Sequence, residues 1–350
     1  MTEQVSAAQS VTPPSWRVFH ATGQPPAGDP PELPQPPPWR VFSGSPVQQS
    51  PPDDAPSALR RLGTLQQGPQ LREEEINAVN AALLLRRPLL VTGPPGVGKS
   101  TLAYLIAREL GLGRVLPWSI VSRTTLRGGL YEYDAIGRAQ AIAAWRAGGA
   151  SEPEGDTASA PDLGDFVTLG PLGTALLAHG RPRVLLVDEL DKSDIDLPND
   201  LLHVLENGSY EIPELVRAGV AEVSVFTDDP QGRAVIESGR VECAEFPVVV
   251  ITSNGEREFP AAFRRRCLPL EMRPPSREQL VSIVVSHLGR RPEGVDDLVD
   301  DFVRRVDGGG TQSVDQLLNA VQLTTADGFR DDNDGRKLVE MLLRDLSKGR

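Results

Sequence analysis

The sequence is poor in cysteine, with two in 350 residues, and this scarcity argues against a fold held together by disulfides. Cys243 and Cys267 show no metal-site spacing, so we expect two reduced core thiols in a cytoplasmic protein. No run of about 18 consecutive apolar residues occurs, so no membrane span is expected. The start, Met1–Gln4, has neither basic residues nor a following apolar run, and it does not predict a secretion signal.

The chain also lacks an excess of basic residues. Its 36 lysines and arginines are outnumbered by 48 acidic residues, which gives a net charge of −12. Proteins that hold extended nucleic acid usually show a basic surface, so this balance disfavours nucleic acid as a partner, although a local basic groove remains compatible with it.

Apolar periodicity is nearly absent from the first 57 residues, which contain 14 of the 32 prolines. This composition predicts a disordered tail over 1–57. Within it the motif WRVF occurs twice, at 16–19 and at 39–42. Tryptophan, arginine and phenylalanine are favoured in contacts, so two interpretations stay open. The motifs are either two docking peptides for a partner or segments that pack onto their own chain.

Residues 93–100 read GPPGVGKS, which fits the phosphate-loop pattern G-x-x-x-x-G-K-[ST]. An apolar run at 87–92 predicts a buried strand before the loop, and the spacing of apolar residues predicts a helix over 101–110 after it. Loop N–H groups can then surround a phosphate chain, while Lys99 reaches the β- and γ-phosphates and the Ser100 hydroxyl holds Mg²⁺. The predicted nucleotide-binding residues are Gly93, Pro94, Pro95, Gly96, Val97, Gly98, Lys99, Ser100 and Thr101.

A second apolar run, 183–187, ends in Asp188 and Glu189. Side chains alternate along a strand, so we expect these two carboxylates to point in different directions. One can bind Mg²⁺ while the other acts as the base for an attacking water. The usual division assigns Asp188 to the metal and Glu189 to the water.

Polar and basic residues follow the later apolar runs. Asn254 comes just after a third run, where its side chain is placed to orient the water and contact the γ-phosphate, and Thr252 and Ser253 are weaker candidates. Three arginines at 264–266 precede a last strand-like run. Arginine stabilises charge on a phosphoryl group in transfer, so these residues are candidates for a role on phosphate.

The order of these parts resembles that of the AAA+ ATPases. GPPGVGKS, LLVDELDKSD, VVVITSN and AFRRRC occur in the expected order and spacing, over about residues 60–345. GPL at 170–172 and LENG at 205–208 resemble the MoxR-type branch. The resemblance implies an α/β, parallel-sheet phosphate-loop NTPase core over 58–274 and an all-helical lid over 275–350.

The resemblance also implies a function. Such proteins are ATPases that form rings, usually hexamers, with ATP and Mg²⁺ bound between subunits, and they remodel or activate a protein partner. Arg266 or Arg265 would act in trans on a neighbour's γ-phosphate, and Arg264 is less suited to this role. Proteins with von Willebrand A-like domains are the partner class that this resemblance suggests first.

Other functions stay open. QSV at 312–314 stands where MoxR-type lids carry an arginine on the nucleotide, which favours a nucleotide-gated switch with slow hydrolysis. The acidic composition disfavours a nucleic-acid motor, and the acidic pair with Asn254 fits hydrolysis better than a small-molecule kinase. DKSD at 191–194 is the string nearest to a guanine-reading motif, but it begins with the wrong residue. We therefore expect ATP rather than GTP.

The remaining patterns predict the rest of the secondary structure. The segment 122–138 stands where relatives carry loops facing the ring pore, so Tyr131 and Tyr133 either grip a client or pack in the core. Helices are predicted over 71–86 and 196–205, strands over 114–121 and 268–272, a surface loop over 147–162, hairpin structure over 207–245, and four helices near 276–289, 295–306, 313–326 and 335–348.

Overall fold

The fold is known from a computed structural model. It describes residues 16–49, 51–52, 54–64, 71–147, 160–326, 328–330 and 332–344. The first 15 residues of the predicted tail and most of the predicted loop at 147–162 lie outside these ranges.

Helices α1 to α13 span Ala55–Leu62, Glu73–Leu85, Thr101–Leu110, Leu126–Leu130, Ala135–Ala147, Pro171–Ala175, Leu197–Asn207, Pro213–Ala218, Ala261–Arg266, Arg277–Leu288, Val295–Asp307, Val314–Thr324 and Asn333–Leu342. Strands β1 to β11 span Leu89–Thr92, Val115–Ser119, Tyr131–Tyr133, Val167–Leu169, Val184–Asp188, Ser209–Glu211, Glu222–Phe226, Arg233–Glu237, Arg240–Glu242, Val248–Ser253 and Leu268–Glu271. Short 3₁₀ helices lie at Pro38–Arg40, Leu163–Phe166 and Leu190–Lys192.

Five parallel strands form the central sheet, in the order β11-β1-β10-β5-β2. Strands β1, β5 and β10 are continuous apolar runs, as expected where both faces of a parallel sheet are covered. The carboxyl ends of parallel strands lie along one edge of the sheet, and binding crevices form at that edge. The predicted parallel α/β core is confirmed, and β1, β5 and β10 carry the three predicted site segments to this edge.

Separate apolar cores cover the two faces of this sheet. Leu89 and Val91 pack with α2 and α3, whereas Leu90 between them packs with α6, α7 and α9. This division follows from the alternation of side chains along a strand. The helices behind the phosphate loop are thus fixed to the sheet that presents it.

A second sheet has the strand order β3-β4-β7-β8-β9-β6. Its β7–β8 and β6–β9 pairs are antiparallel, so the hairpin structure predicted over 207–245 is confirmed. A buried ion cluster joins this region to the first sheet. Arg183, which is fully buried, pairs with Asp229 at 2.7 Å, and Arg114 pairs with Asp228 at 2.8 Å.

Two tyrosines of the second sheet pack within the chain. Tyr131 is buried, and its hydroxyl donates to Glu214 at 2.8 Å. Burial and this carboxylate raise the pKa of Tyr131 to about 12. The half-buried Tyr133 accepts a hydrogen bond from Arg138 at 3.2 Å. Of the two interpretations of these residues, the contacts favour packing.

Helices α10 to α13 build the predicted helical lid around a core of their own. Val284, Val299, Phe302 and Leu317 are buried there. Within the described ranges, no helix has both the length and the apolar character needed to cross a lipid bilayer.

From residue 16 to residue 49 the chain has little regular structure but lies against the core, and we call this segment the strap. Phe19, in the first WRVF motif, is fully buried among residues of α2 and α3. The side chain of Asn80 accepts from the N–H groups of Val18 and Phe19 at 2.9 and 3.0 Å. Three further strap N–H groups, of residues 20, 22 and 23, donate to the Glu109 carboxylate.

The second WRVF motif contacts the rest of the chain through its arginine and its phenylalanine. Arg40 donates to the carbonyl oxygens of Arg86 and Leu205 at 2.8–3.0 Å, and the Phe42 ring stacks on Phe246 at 5.8 Å. The structure therefore differs over 16–49 from the disordered tail predicted for 1–57. The phenylalanines and arginines of both motifs have partners on their own chain, since Arg17 of the first motif also pairs with Glu73 of α2. Trp39 remains 78% exposed.

Candidate functional site

The phosphate loop runs from β1 to α3, and two of its glycines meet close neighbours. Gly93 has φ +148°, and a Cβ there would lie 2.3 Å from the carbonyl oxygen of Met272. Gly96 has φ +76°, and its Cβ would lie 2.5 Å from the Cβ of Ser313, at the start of lid helix α12. Only glycine combines this backbone with these approaches. The loop is therefore confined between the end of β11 and the lid.

Lys99 is buried inside this loop, at 7% exposure. Its ammonium donates to the carbonyl oxygens of Gly93 and Pro94, both at 2.7 Å, and to Asn254 Oδ1 at 2.8 Å. Burial lowers the pKa of Lys99, and the carboxylates of Asp191, Asp188 and Glu189 oppose that shift. The predicted phosphate-binding lysine and the predicted Asn254 thus meet directly.

Asp188 lies at the end of β5 beside the first turn of α3. Its Oδ1 accepts from Ser100 Oγ at 2.7 Å and from Thr252 Oγ1 at 2.6 Å. The structure brings together both predicted metal ligands, Ser100 and Asp188. Thr252, a weaker candidate in the sequence, holds the carboxylate from the neighbouring strand β10.

Glu189 takes a different direction from Asp188, though not by strand alternation. The strand ends at Asp188, and Glu189 has a left-handed backbone with φ +61° and ψ +48°. Such a conformation is uncommon outside glycine and concentrates at functional sites. The Glu189 N–H donates to Thr252 Oγ1 at 2.8 Å, and its carboxylate pairs with Lys192 at 2.6 Å.

These residues surround a cavity of about 400 Å³ between the core and the lid. Pro95 to Thr101 of the loop line it, together with Asp188, Glu189 and Asn254. Gly93 and Pro94 belong to the site through their carbonyl oxygens, which accept hydrogen bonds from Lys99. Lining residues that the sequence analysis missed include Arg60, Arg61, Arg72, Glu75, Arg273, Gln279, Ser282, Ser286 and Asp315.

Arg60 and Arg61 were missed because they end α1, a helix that begins within the predicted tail. Helix α1 packs on α3, where the Arg61 guanidinium lies 5.4 Å from the centre of the Tyr104 ring. The only local signal was Asp54, an N-cap residue followed by a proline in the first turn.

The predicted arginines 264–266 do not reach this cavity within one chain. Arg266, at the end of α9, pairs with Glu206, and all three arginines are exposed. Gln312 does not line the cavity either. Its amide instead donates to the Leu343 carbonyl at 3.3 Å. The described arginines at the cavity come instead from α1, from residue 72 and from residue 273.

The donor set suits Mg²⁺. A serine hydroxyl and an aspartate carboxylate lie 2.7 Å apart beside the loop, and both are hard oxygen ligands of the kind that magnesium takes together with substrate phosphates. Across the described ranges, no cluster of three or more His, Cys, Asp or Glu side chains forms a separate metal site.

Residues 89–144 match the family model "ATPase family associated with various cellular activities (AAA)". This segment is similar to the AAA family. The match begins at β1 and includes the phosphate loop and α3, so the matched segment contains Lys99 and the two loop carbonyls that it contacts. The match and the phosphate loop both indicate nucleotide use, and the match does not extend to the MoxR-type branch.

Two known proteins are similar to parts of this chain. Holliday junction branch migration complex subunit RuvB of Methanoregula boonei (strain DSM 21154 / JCM 14090 / 6A8) is 40% identical over 79 residues, which are 21% of this chain and 22% of RuvB. The crystal structure of NtrX from Brucella abortus in complex with ADP has 13% identity and a TM-score of 0.39, and covers 79% of this chain and 56% of the NtrX chain. The chain thus spans about a fifth of the curated relative's length.

Proposed function

We propose that this chain is a MoxR-like AAA+ ring ATPase, which uses ATP binding and hydrolysis to remodel or activate a protein partner in the cytoplasm. The observation that carries the proposal is the convergence of three strand ends on one cavity. Lys99 meets Asn254 there, and Ser100 meets Asp188. A surface turn would not join these four side chains from segments up to 155 residues apart.

Each side chain has a role that fits hydrolysis. Lys99 exchanges its loop carbonyl contacts for the β- and γ-phosphate oxygens, and loop N–H groups bind the same phosphates. Ser100 and Asp188 would hold Mg²⁺, which supplies positive charge at the phosphates. Asn254 orients the attacking water, and Glu189 accepts a proton from it.

Adenine is the proposed base. Within DKSD at 191–194, Asp191 accepts from the N–H groups of Asn254 and Glu256 at 2.9 and 3.1 Å. The guanine-reading motif begins with asparagine or threonine, whereas this string begins with Asp191, whose carboxylate holds a turn of the protein. The string therefore does not supply that motif, and we propose ATP rather than GTP.

We propose that the ring completes the site. Arg265 and Arg266 are exposed and lie outside the cavity of their own chain, as expected of arginines that act on a neighbour's γ-phosphate. A head-to-tail ring, for which we propose a hexamer, would bring them to that cavity. A protein with a von Willebrand A-like domain is the first proposed partner, and Trp39 and Val41 are exposed residues of the second WRVF motif that could dock it.

The trans role can be tested by mixing variants. One of the two arginines, Arg266 or Arg265, is the one proposed to act in trans. We expect its replacement with alanine to leave ATP binding unchanged and to lower the rate of hydrolysis by about 10³-fold. Arg264→Ala is the matched control and is expected to hydrolyse normally. Mixing equal amounts of the inactive arginine variant and Lys99→Met should restore about a quarter of the wild-type rate. Half of the subunits then bind ATP, and half of their neighbours carry the arginine. No recovery after subunit exchange would contradict the trans assignment.

A nucleotide-gated switch is the second candidate, and one contact favours it. The Glu189 carboxylate is bound to Lys192 at 2.6 Å, which withholds it from a water. In a switch, this pair would persist with ATP bound, so ATP would be retained for many minutes with little turnover. Wild-type hydrolysis measured beside ATP dissociation separates the two: turnover faster than dissociation supports the ATPase.

A further inference from the structure

A buried carboxylate next to the site has no part in the catalytic steps described above. Asp191 lies in the short helix Leu190–Lys192 that follows Glu189, and it is 4% exposed. Its Oδ2 accepts from the N–H of Asn254 at 2.9 Å and from the N–H of Glu256 at 3.1 Å. Buried carboxylates are costly, and they persist where such charge-assisted hydrogen bonds fix a geometry.

The geometry that Asp191 fixes is that of the turn after β10. Strand β10 ends at Ser253, so Asn254 is the first residue outside the sheet and has no ladder partner to hold it. Asp191 holds the backbone on both sides of Gly255, which has φ +79°. The Asn254 side chain is thereby directed at Lys99, 2.8 Å away.

The same short helix also connects to the proposed base. The Lys192 N–H donates to the Glu189 carbonyl at 2.9 Å, and the Lys192 ammonium pairs with the Glu189 carboxylate. Asp191 stands between these two residues in the chain. The segment 189–192 therefore links Glu189, just after β5, to Asn254, just after β10, through the side chain of Asp191.

We propose that Asp191 is a positioning residue of the ATPase site, which holds the turn at 254–256 so that Asn254 faces Lys99 and the γ-phosphate. The role rests on the proposed function. Asp191 does not line the nucleotide cavity, so it acts through Asn254 and not on the nucleotide.

A double-mutant cycle tests this role. Asp191→Ala and Asn254→Ala are each expected to lower kcat for ATP by about 30-fold, with KM changed less than about threefold, because the substrate contacts of the phosphate loop remain. Since Asp191 acts through Asn254, the double variant should be no slower than Asn254→Ala alone. Asp191→Asn keeps an acceptor oxygen and is expected to restore kcat to within about fivefold of wild type.

Asp194→Ala is the matched control, because Asp194 is exposed in the same loop and its carboxylate accepts from the adjacent N–H of Ile195. We expect it to keep the wild-type kcat. A wild-type kcat in Asp191→Ala, or losses that multiply in the double variant, would overturn the positioning role. Glu189→Gln is measured in the same assay. If it hydrolyses ATP at the wild-type rate, the proposed function is refuted, and the positioning role with it.

Discussion

Replacing Lys99 with methionine is expected to weaken ATP binding by about 100-fold, or about 2.7 kcal/mol. Methionine keeps the aliphatic stem but removes the ammonium, which now bonds Gly93, Pro94 and Asn254. Hydrogen bonds that involve a charged group contribute about 1.5–3 kcal/mol each, and the ammonium is buried, so solvent cannot replace it. Calorimetric titration with ATP at fixed Mg²⁺ measures the effect.

Lys337→Met is the control for this change, because Lys337 is an exposed lysine of the lid that pairs with Asp334 at 3.1 Å. Its affinity for ATP should equal that of the wild type. If Lys99→Met binds ATP within about threefold of wild type, the phosphates do not lie in this loop.

Replacing Phe19 with alanine is expected to lower the free energy of unfolding by about 3–5 kcal/mol, as for other fully buried phenylalanines. Phe19 is 0% exposed, and the strap around it supplies hydrogen bonds to the buried Asn80 and Glu109. Loosening the strap would leave these polar groups without partners, which adds to the loss. Denaturant unfolding followed by tryptophan fluorescence and by circular dichroism measures the change.

The first WRVF motif supplies its own control. Trp16 is 36% exposed, and its ring contacts the guanidinium of Arg17. Trp16→Ala should therefore cost no more than roughly 1 kcal/mol. Equal effects of the two substitutions, or a Phe19→Ala protein as stable as wild type, would show that the strap does not form part of the core.

The sequence predicts the central sheet well, and β1, β5 and β10 show why. Each is a continuous apolar run that ends at a residue with chemical function, so burial on both faces can be recognised locally. Lys99, Ser100, Asp188 and Asn254 were predictable for the same reason, because strand ends of a parallel sheet meet at one edge.

The strap could not be predicted, because its partners are remote in sequence. Val18 and Phe19 bond Asn80, about 60 residues away, and Arg40 bonds Leu205, 165 residues away. Proline-rich composition dominates any local pattern in such a segment. Helix α5 was missed for a related reason, since none of its residues is buried and its sequence therefore has no core-facing stripe.

Backbone conformation explains the remaining difference at the site. Strand alternation predicted that Asp188 and Glu189 diverge, and they do, but through the left-handed backbone of Glu189. That turn, and the contact of Asp191 with the N–H of Asn254, depend on tertiary packing between β5 and β10. Arg265 and Arg266 stay predictions, because their proposed target lies on a second copy of the chain.

The most direct measurement is made on Glu189→Gln, in which an amide replaces the proposed base. We would measure ATP hydrolysis and, by mass photometry, assembly with ATP·Mg²⁺ and with ADP. We expect hydrolysis to fall by about 10²–10⁴-fold while ATP stays bound, with hexamers in ATP and smaller species in ADP. Hydrolysis at the wild-type rate would contradict the role of Glu189, and monomers with both nucleotides would contradict the ring.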